Sequence, residues 1–525
     1  MLRLRSLLRL PAFVLLAAGL AWAQDPDKKA REDAAKKAVE DFKNATKDLK
    51  TPHEKALAIL AYGESDVKEG LMVSALARYL APAGNDINFI VPAAAVDALG
   101  KFRGIAQASQ TLIAVIPTYK KNPYMYDRII AAIGKVGHES ALPFFMEPLN
   151  GKDANAAVAA VRAIGDFPAT VALDTLFREY DRMEKLRPNA GDQVKPVLDK
   201  AQPEVLKQIQ RISGEKYISM KEFQIWWSKR GEQFKKDAAE KEKAAAQKDP
   251  NAPKPTLPPV MIMEFQFKEN GGNSTANSGA SAGHYASAVI TTPKPSWNTA
   301  AAPNSGPSSL DWGAAPIPGA VDLMAPGGPE HLKNLKSFTI CGWVSCQNDQ
   351  EGPGDKLAGA GNRILTWLMP NKDGVELVVR NDGSLQLGVN QWAEQSTAKS
   401  KPAQLPVPDP MAKDAAAAAR ENWRFFAVTY DSTVAAGHAK FYFGTRSRDA
   451  AENGAVDYGR GPVGSKIAFG VTVGNVPPMI RPAAPERSFR GFIDELKIFG
   501  STVDGSGALP LPALVKVQNR VEATN

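Results

Sequence analysis

A chain of 525 residues is too long for one ordinary domain and suits two or three. Its hydrophobic fraction of 44% supports sizeable cores, while its two cysteines, Cys341 and Cys346, cannot make a disulfide framework. The formal charge of +8 includes Arg3, Arg5 and Arg9 at the extreme N-terminus, and over this length it carries little information about partners.

Residues 1–23 combine a basic start, an apolar stretch from Ala12 to Leu20, and Ala21-Trp22-Ala23 before Gln24. That is the pattern of a cleaved signal peptide, so the mature protein is expected to be exported: periplasmic, cell-surface or extracellular. No Cys follows the cleavage site, which argues against a lipid anchor, and no later run has the length of a transmembrane helix.

Residues 24–248 read as helical, with alanine-rich amphipathic stretches separated by Gly and Pro. Ala98–Phe102, Ala132–Val136 and Ala163–Phe167 are near copies with glycines at 100, 134 and 165, and Leu60–Gly63 is a fainter copy. Spacings of this size belong to helix-pair repeats that stack into a solenoid. In the third unit Ala157, Val161 and Ile164 form one apolar stripe, Gly165 is expected to end the helix, and Leu173, Leu176 and Phe177 line the next. Over residues 50–185 the segment resembles the HEAT-repeat family in its Ala-Ile-Gly turns and helix pairs.

Ser219–Glu222 is a capping box, and Phe223, Trp226 and Trp227 follow on one helical face. The adjacent tryptophans are expected to seal the last repeat. The mixed charges of Ser228–Asp249 read as a solvated helix, not a nucleic-acid surface. Residues 249–259 form a proline-rich linker, the clearest domain boundary.

From residue 260 the period changes. Met261, Met263, Phe265 and Phe267 are expected on one strand face, and Ile262, Glu264 and Gln266 on the other. The Gly, Ser, Asn and Pro-rich stretch up to Pro329 reads as loops. Strands follow at Ser337–Ser345, Asn362–Leu368, Val375–Arg380, around Leu385–Val389, Trp423–Tyr430, Ala439–Phe443 and Lys466–Val473, with Asp-Gly turns at 373–374 and 382–383. The run Ser488–Gly500 places Phe492, Leu496 and Ile498 on one face and Phe489, Ile493 and Phe499 on the other; a strand apolar on both faces is covered on both. Some ten strands with turn signals predict an all-β sandwich. Cys341 and Cys346 point to opposite faces of one strand and are expected as buried free thiols.

The order Phe265-x-Phe267, Ser337–Val344, Asp382–Leu385, Trp423–Asp431 and Phe489–Phe499 resembles the laminin-G-like jelly rolls of the concanavalin A-like lectin and glucanase superfamily. The fold class is thus expected to be multidomain: an all-α HEAT-like solenoid followed by an all-β jelly-roll sandwich over residues 260–505, with a C-terminal tail at 506–525. Long insertions at 296–330 and 394–420, and Gly444-Thr-Arg in place of the usual Asp-Gly tip, depart from the family pattern.

Glucanases of the superfamily use paired carboxylates at alternate strand positions. Asp494 and Glu495 are adjacent and expected to face opposite ways, so no catalytic residue is assigned. The resemblance makes calcium the one cofactor to consider, with Asp349, Asp431 and Asp494 as candidate oxygen donors, although nothing in their spacing makes them converge. The five histidines are scattered, without zinc-site spacing. A sugar stacks its C–H face on a ring while its hydroxyls want polar partners, and Trp312 beside Asp311 and Trp392 after Asn390-Gln391 are the candidates for that contact. The expected function is non-catalytic recognition of glycan or protein ligands outside the cell; the alternative is a polysaccharide-degrading enzyme or an accessory module of one.

Overall fold

The computed structural model describes residues 26–519 except 83–85, 87, 153, 217–218, 246–258, 292–294, 300–301, 303–306, 314, 316, 326–328, 348–361, 371–372, 407–421, 468 and 484–486. The expected signal peptide, nearly all of the linker, Asp349 and much of the 394–420 insertion lie outside the described residues.

The N-terminal part is helical: α1 (Pro26–Lys47), α2 (Pro52–Gly63), α3 (Gly70–Ala77), α4 (Ile90–Gly100), α5 (Ala106–Tyr119), α6 (Pro123–Val136), α7 (Leu142–Leu149), α8 (Ala154–Gly165), α9 (Ala169–Leu186), α10 (Lys195–Ser213) and α11 (Met220–Ala245). Even-numbered helices stack in one row, α2 on α4 on α6 on α8 on α10, while α1, α3 and α5 stack behind them. Each helix pair buries its apolar stripe against its neighbours, as Ile133 and Val136 of α6 and Val161 and Ile164 of α8 do.

Gly165 ends α8, as expected. Gly63, Gly100 and Gly165 are each the last residue of their helix, whereas Gly134 lies two residues before the end of α6, and the packing at these glycines is close. An added Cβ would lie 2.8 Å from Ala98 Cβ at Gly63, 3.4 Å from Ala132 Cβ at Gly100 and 2.5 Å from the Ala163 carbonyl oxygen at Gly134. The motif alanine of one pair thus seats against the motif glycine of the previous one. Ion pairs reinforce the row: Arg128 Nη2 to Asp97 Oδ2 at 2.7 Å and Arg162 Nε to Glu204 Oε1 at 3.1 Å. The last helix opens on the expected capping box, with Ser219 and Glu222 bonding reciprocally, and Phe223 and Trp226 close the core.

The C-terminal part is a sandwich of two antiparallel sheets. One sheet runs β13 (Arg448–Val456), β12 (Ala439–Thr445), β11 (Arg424–Asp431), β7 (Ser337–Cys346), β15 (Gly491–Ser501), β5 (Ser309–Asp311) and β4 (Ser296–Asn298), with β1 (Val260–Phe265) also paired to β15. The other runs β10 (Leu385–Val389), β9 (Val375–Val379), β8 (Asn362–Thr366), β14 (Val471–Val473), β6 (Val321–Leu323), β3 (Ser287–Ile290) and β2 (Ser274–Ala276). The stretch before Pro329, expected as loops, thus supplies β2 to β6, and the expected strand Lys466–Val473 shortens to its last three residues.

A bulge in β1 moves only Met261 and Ile262 from their expected faces, while one in β15 overturns the faces expected there. Register slips between Met261 and Met263 in β1, so Met261 lies on the outer face while Ile262, Met263, Phe265 and Phe267 all enter the inter-sheet core. In β15 it slips between Asp494 and Lys497, so Phe492 and Phe499 face outward and Ile493, Leu496 and Ile498 inward. Glu495 takes a left-handed φ of 50° at this bulge, opposite Gly342, where an added Cβ would lie 3.2 Å from the Glu495 carbonyl.

Residues 506–525, expected as a tail, belong to the sandwich as far as they are described. Helix α12 (Leu511–Gln518) and Leu509 cover the outer face of the first sheet, over Trp343, Trp423, Phe425 and Phe492. Gln518 bonds to Ala450 N at 2.6 Å and to the Thr445 and Arg448 carbonyls. Strand β15 is therefore covered on both faces.

Candidate functional site

The second sheet carries a polar row on its outer face. Asp322, Thr472, Thr366 and Glu376 are direct cross-strand neighbours from β6, β14, β8 and β9. Their neighbours Val321, Leu323, Val471, Val473, Leu365, Val375 and Leu377 point into the core, which fixes the row outward. Each carboxylate at the ends of the row is held by an arginine. Arg481 reaches Asp322 with two bonds of 2.7 and 3.0 Å, and Thr472 donates to Asp322 at 2.8 Å. Arg363 Nε donates to Glu376 Oε1 at 2.7 Å, and both side chains are 0% exposed. Both pairs are buried, and the Arg481–Asp322 pair is bidentate, a structural geometry.

Loops close over the row. Ala393 N donates to Glu376 Oε2 at 2.8 Å, Arg363 Nη2 reaches Glu394 at 3.4 Å, and Arg487 Nη1 lies 3.6 Å from the same carboxylate. The segment around Trp392 and the segment leading to Arg481 and Arg487 are tied down onto the sheet.

Of the two tryptophans expected to contact a sugar, Trp312 is 0% exposed and packed in the inter-sheet core. Gly474, with a φ of 78°, lies against its ring, which leaves no room there for any side chain. Trp312 is therefore a core residue with no surface to offer a ligand. Trp392 is half-buried on the rim of the covering loops.

The candidate calcium donors do not converge. Asp431 pairs with Ser337 and Asp494 with Trp343, which sets them about 20 Å apart along β7. Asp431 Oδ1 closes a turn by accepting from Thr433 N and Oγ1. Asp494 accepts from Ala302 N at 3.0 Å and from Glu495 N at 2.9 Å. Among the described residues, no group of three or more His, Cys, Asp or Glu is arranged to hold a metal ion.

The expectation that Asp494 and Glu495 face opposite ways is also corrected. Asp494 bonds to Ala302 in the outer cluster, and Glu495 Oε2 lies 3.7 Å from Lys497 Nζ, which also meets Glu264 at 3.2 Å beside Cys341 on that face. The bulge turns both carboxylates outward, where each is at most 2% exposed.

The helical part contains two open clefts. One, of about 550 Å³, lies at the C-terminal ends of α4, α6, α8 and α10. Lys101, Arg103, Lys135 and Arg211 gather there with Asp166, and Lys101 pairs with Glu64. Burial, helped by the charge of Lys135, pushes the Lys101 ammonium below its usual range. Four cations face two carboxylates and four helix ends, each worth about half a negative charge, so the charges cancel.

The second cleft, of about 590 Å³, is formed by two helical stripes: Asp174, Phe177, Arg178 and Asp181 of α9, and Gln224, Trp227 and Ser228 of α11. Phe177 and Trp227 make its apolar floor, with ring centroids 5.7 Å apart. Gln224 Nε2 donates to Asp181 Oδ1 at 3.0 Å on its rim. Trp226 turns into the core, whereas its neighbour Trp227 is only half-buried. The spacings i, i+3, i+4 and i+7 of these stripes are visible in the sequence; that they face one another is not.

Neither family models nor curated proteins match the chain. Solved structures include a neighbour, the binding domain of botulinum neurotoxin serotype G, at 11% identity and a TM-score of 0.28. That match covers 50% of this chain and 52% of the neighbour, so the chain spans about half its length. A likeness of this kind carries no argument about function. No helix among the described residues is long and apolar enough to cross a membrane.

Proposed function

We propose that the chain is an exported, non-catalytic binding protein, in which HEAT-like helix pairs form an interaction scaffold beside a laminin-G-like jelly roll, and that its ligands are glycans or proteins. The observation that carries this reading is the state of the sandwich carboxylates. Asp322 and Glu376 are three strands apart in one row, about 14 Å, beyond the roughly 5–10 Å that glycoside hydrolysis uses. Both are covered and neutralised by arginine. Among the described residues, the loop rim around Trp392 and the clefts of the helical layer stay open to a ligand.

The test is a glycan array and a pull-down with the full mature chain, run beside a turnover assay on β-glucans and sulfated glycans. Binding without turnover is the expected result. Turnover that Asp322→Asn or Glu376→Gln abolishes would replace this reading with the polysaccharide-degrading enzyme.

A further inference from the structure

We propose that Lys497 and Glu264 join in an intramolecular amide bond between β15 and β1, formed without an enzyme and with Glu495 as the proton carrier. It does not depend on the binding reading above. Glu264 and Lys497 are direct cross-strand partners, and Lys497 Nζ lies 3.2 Å from Glu264 Oε1. The carboxyl carbon is the next atom beyond that oxygen. Nucleophile and electrophile are thus held close to the separation from which such reactions start, roughly 3–3.5 Å. Two further groups complete the arrangement. Glu495 Oε2 stands 3.7 Å from the same Nζ, brought to that side by the bulge in β15. Gln266 Nε2 donates to Glu264 Oε2 at 2.9 Å, where it stabilises the negative charge that an attacked carboxyl develops.

Water is kept from these groups: the side chains of Lys497, Glu264 and Glu495 are 11%, 9% and 2% exposed. Burying two carboxylates against one ammonium is costly as a pairing for stability. It is what the reaction needs, one carboxyl to be attacked and one to move protons. Glu495 takes a proton from the ammonium and passes it to Glu264 Oε1. The freed amine attacks Cδ, the C–N bond forms, and the bond from Cδ to the protonated Oε1 breaks. Of the three ammonium protons one stays on nitrogen and two leave with Oε1 as water, carried by Glu495, which ends ionised as it began. The Oε2 held by Gln266 remains as the amide carbonyl. The bond gives the sandwich a covalent tie that its two free cysteines do not supply, and a tie closing so long a loop stabilises mainly by constraining the unfolded chain.

The experiment measures the intact mass of the denatured full mature chain and then maps its tryptic peptides. The expected mass is one water below that of the sequence, with a branched peptide joining the segments around Glu264 and Lys497 and no cut after Lys497. Lys497→Arg, which keeps the charge and removes the nucleophile, is expected to restore the full mass. Glu495→Gln is expected to lower the linked fraction about tenfold or more. A parent chain at full mass, with Glu264 and Lys497 in separate peptides, overturns the proposal and leaves an ion pair only. That outcome is read on the parent and needs no variant to fold. A missing water that maps to other residues overturns it equally, and a Glu495→Gln chain linked as fully as the parent overturns the role given to Glu495.

Discussion

Gly134 of α6 and Ala163 of α8 meet backbone to backbone, with room for a hydrogen but not for a methyl group: a Cβ on Gly134 would stand 2.5 Å from the Ala163 carbonyl oxygen. Gly134→Ala is expected to push the two helices apart and to cost about 1–3 kcal/mol. At Gly100 the same substitution meets Ala132 Cβ at 3.4 Å, an ordinary contact. There the helix-propensity gain, up to about 1 kcal/mol, decides the sign, and Gly100→Ala is expected to be neutral or stabilising. Urea midpoints followed by far-UV circular dichroism test the pair; equal losses would refute the close-packing role.

The buried Arg363–Glu376 pair makes an asymmetric prediction. Arg363→Met strands a carboxylate under the loops and is expected to cost about 3–5 kcal/mol, whereas Arg363→Met with Glu376→Leu is expected to recover much of that loss. Guanidinium unfolding of both variants checks it, and a double variant no better than the single one would contradict it. Limited proteolysis near Trp392 should accelerate in the single variant, because Glu376 also holds Ala393.

Cys341 lies in the outer cluster and Cys346 in the inter-sheet core, on opposite faces of β7. Burial pushes both thiols up to about 12, so neither forms thiolate at neutral pH. A thiol reagent is expected to label neither cysteine in the native chain and both after denaturation. Fast native labelling would show that one of the covers opens.

Glu204 offers a pH test with a defined sign. Burial works against its charge, but hydrogen bonds from Arg162 and Gln208 outweigh it and hold the carboxyl below its usual range. A depressed folded pKa contributes stability above the unfolded value, about 4.3, and that contribution is lost as pH falls through the folded pKa. The stability gap between the parent and Glu204→Gln should therefore shrink on acidification below about pH 4. With Arg162 half exposed, the gap at neutral pH is expected to be no more than about 1 kcal/mol.

Helix α12 and Leu509 cover an aromatic face. A chain ending at Ala508 is expected to bind a hydrophobic dye and to aggregate, because Trp343, Trp423 and Phe425 lose their cover. A soluble, dye-silent truncation would show that the cover is dispensable.

The helix pairs were legible because their signal is local: a recurring Ala-x-Gly and an apolar stripe at helical spacing need no partner to be read. The sides taken by Met261 and Ile262 in β1 and the faces of β15 were not, because one extra residue, at Ile262 in one and at Glu495 in the other, shifts the alternation across it. Strands β2 to β6 are so short, and so rich in Ser, Asn and Pro surroundings, that no alternation could show. Strand β13 went unread because it is a largely exposed edge without an apolar rhythm. Of the candidate sites, the two stripes of the α9–α11 cleft were present as spacings, while the row from Asp322 to Glu376 exists only through register between four strands, of which only β8 and β9 are neighbours in sequence.

The pairing of β15 with β1, β5 and β7 also dictates when the molecule can become whole. Contacts in the helical rows join neighbours, so that part can order progressively as the ribosome delivers it. Closure of the first sheet must wait for Ser501, by which time every other described strand of both sheets has been synthesised. Until then the floors of two cores, one on each side of β7, stand open, and this window is where slow folding and premature association concentrate.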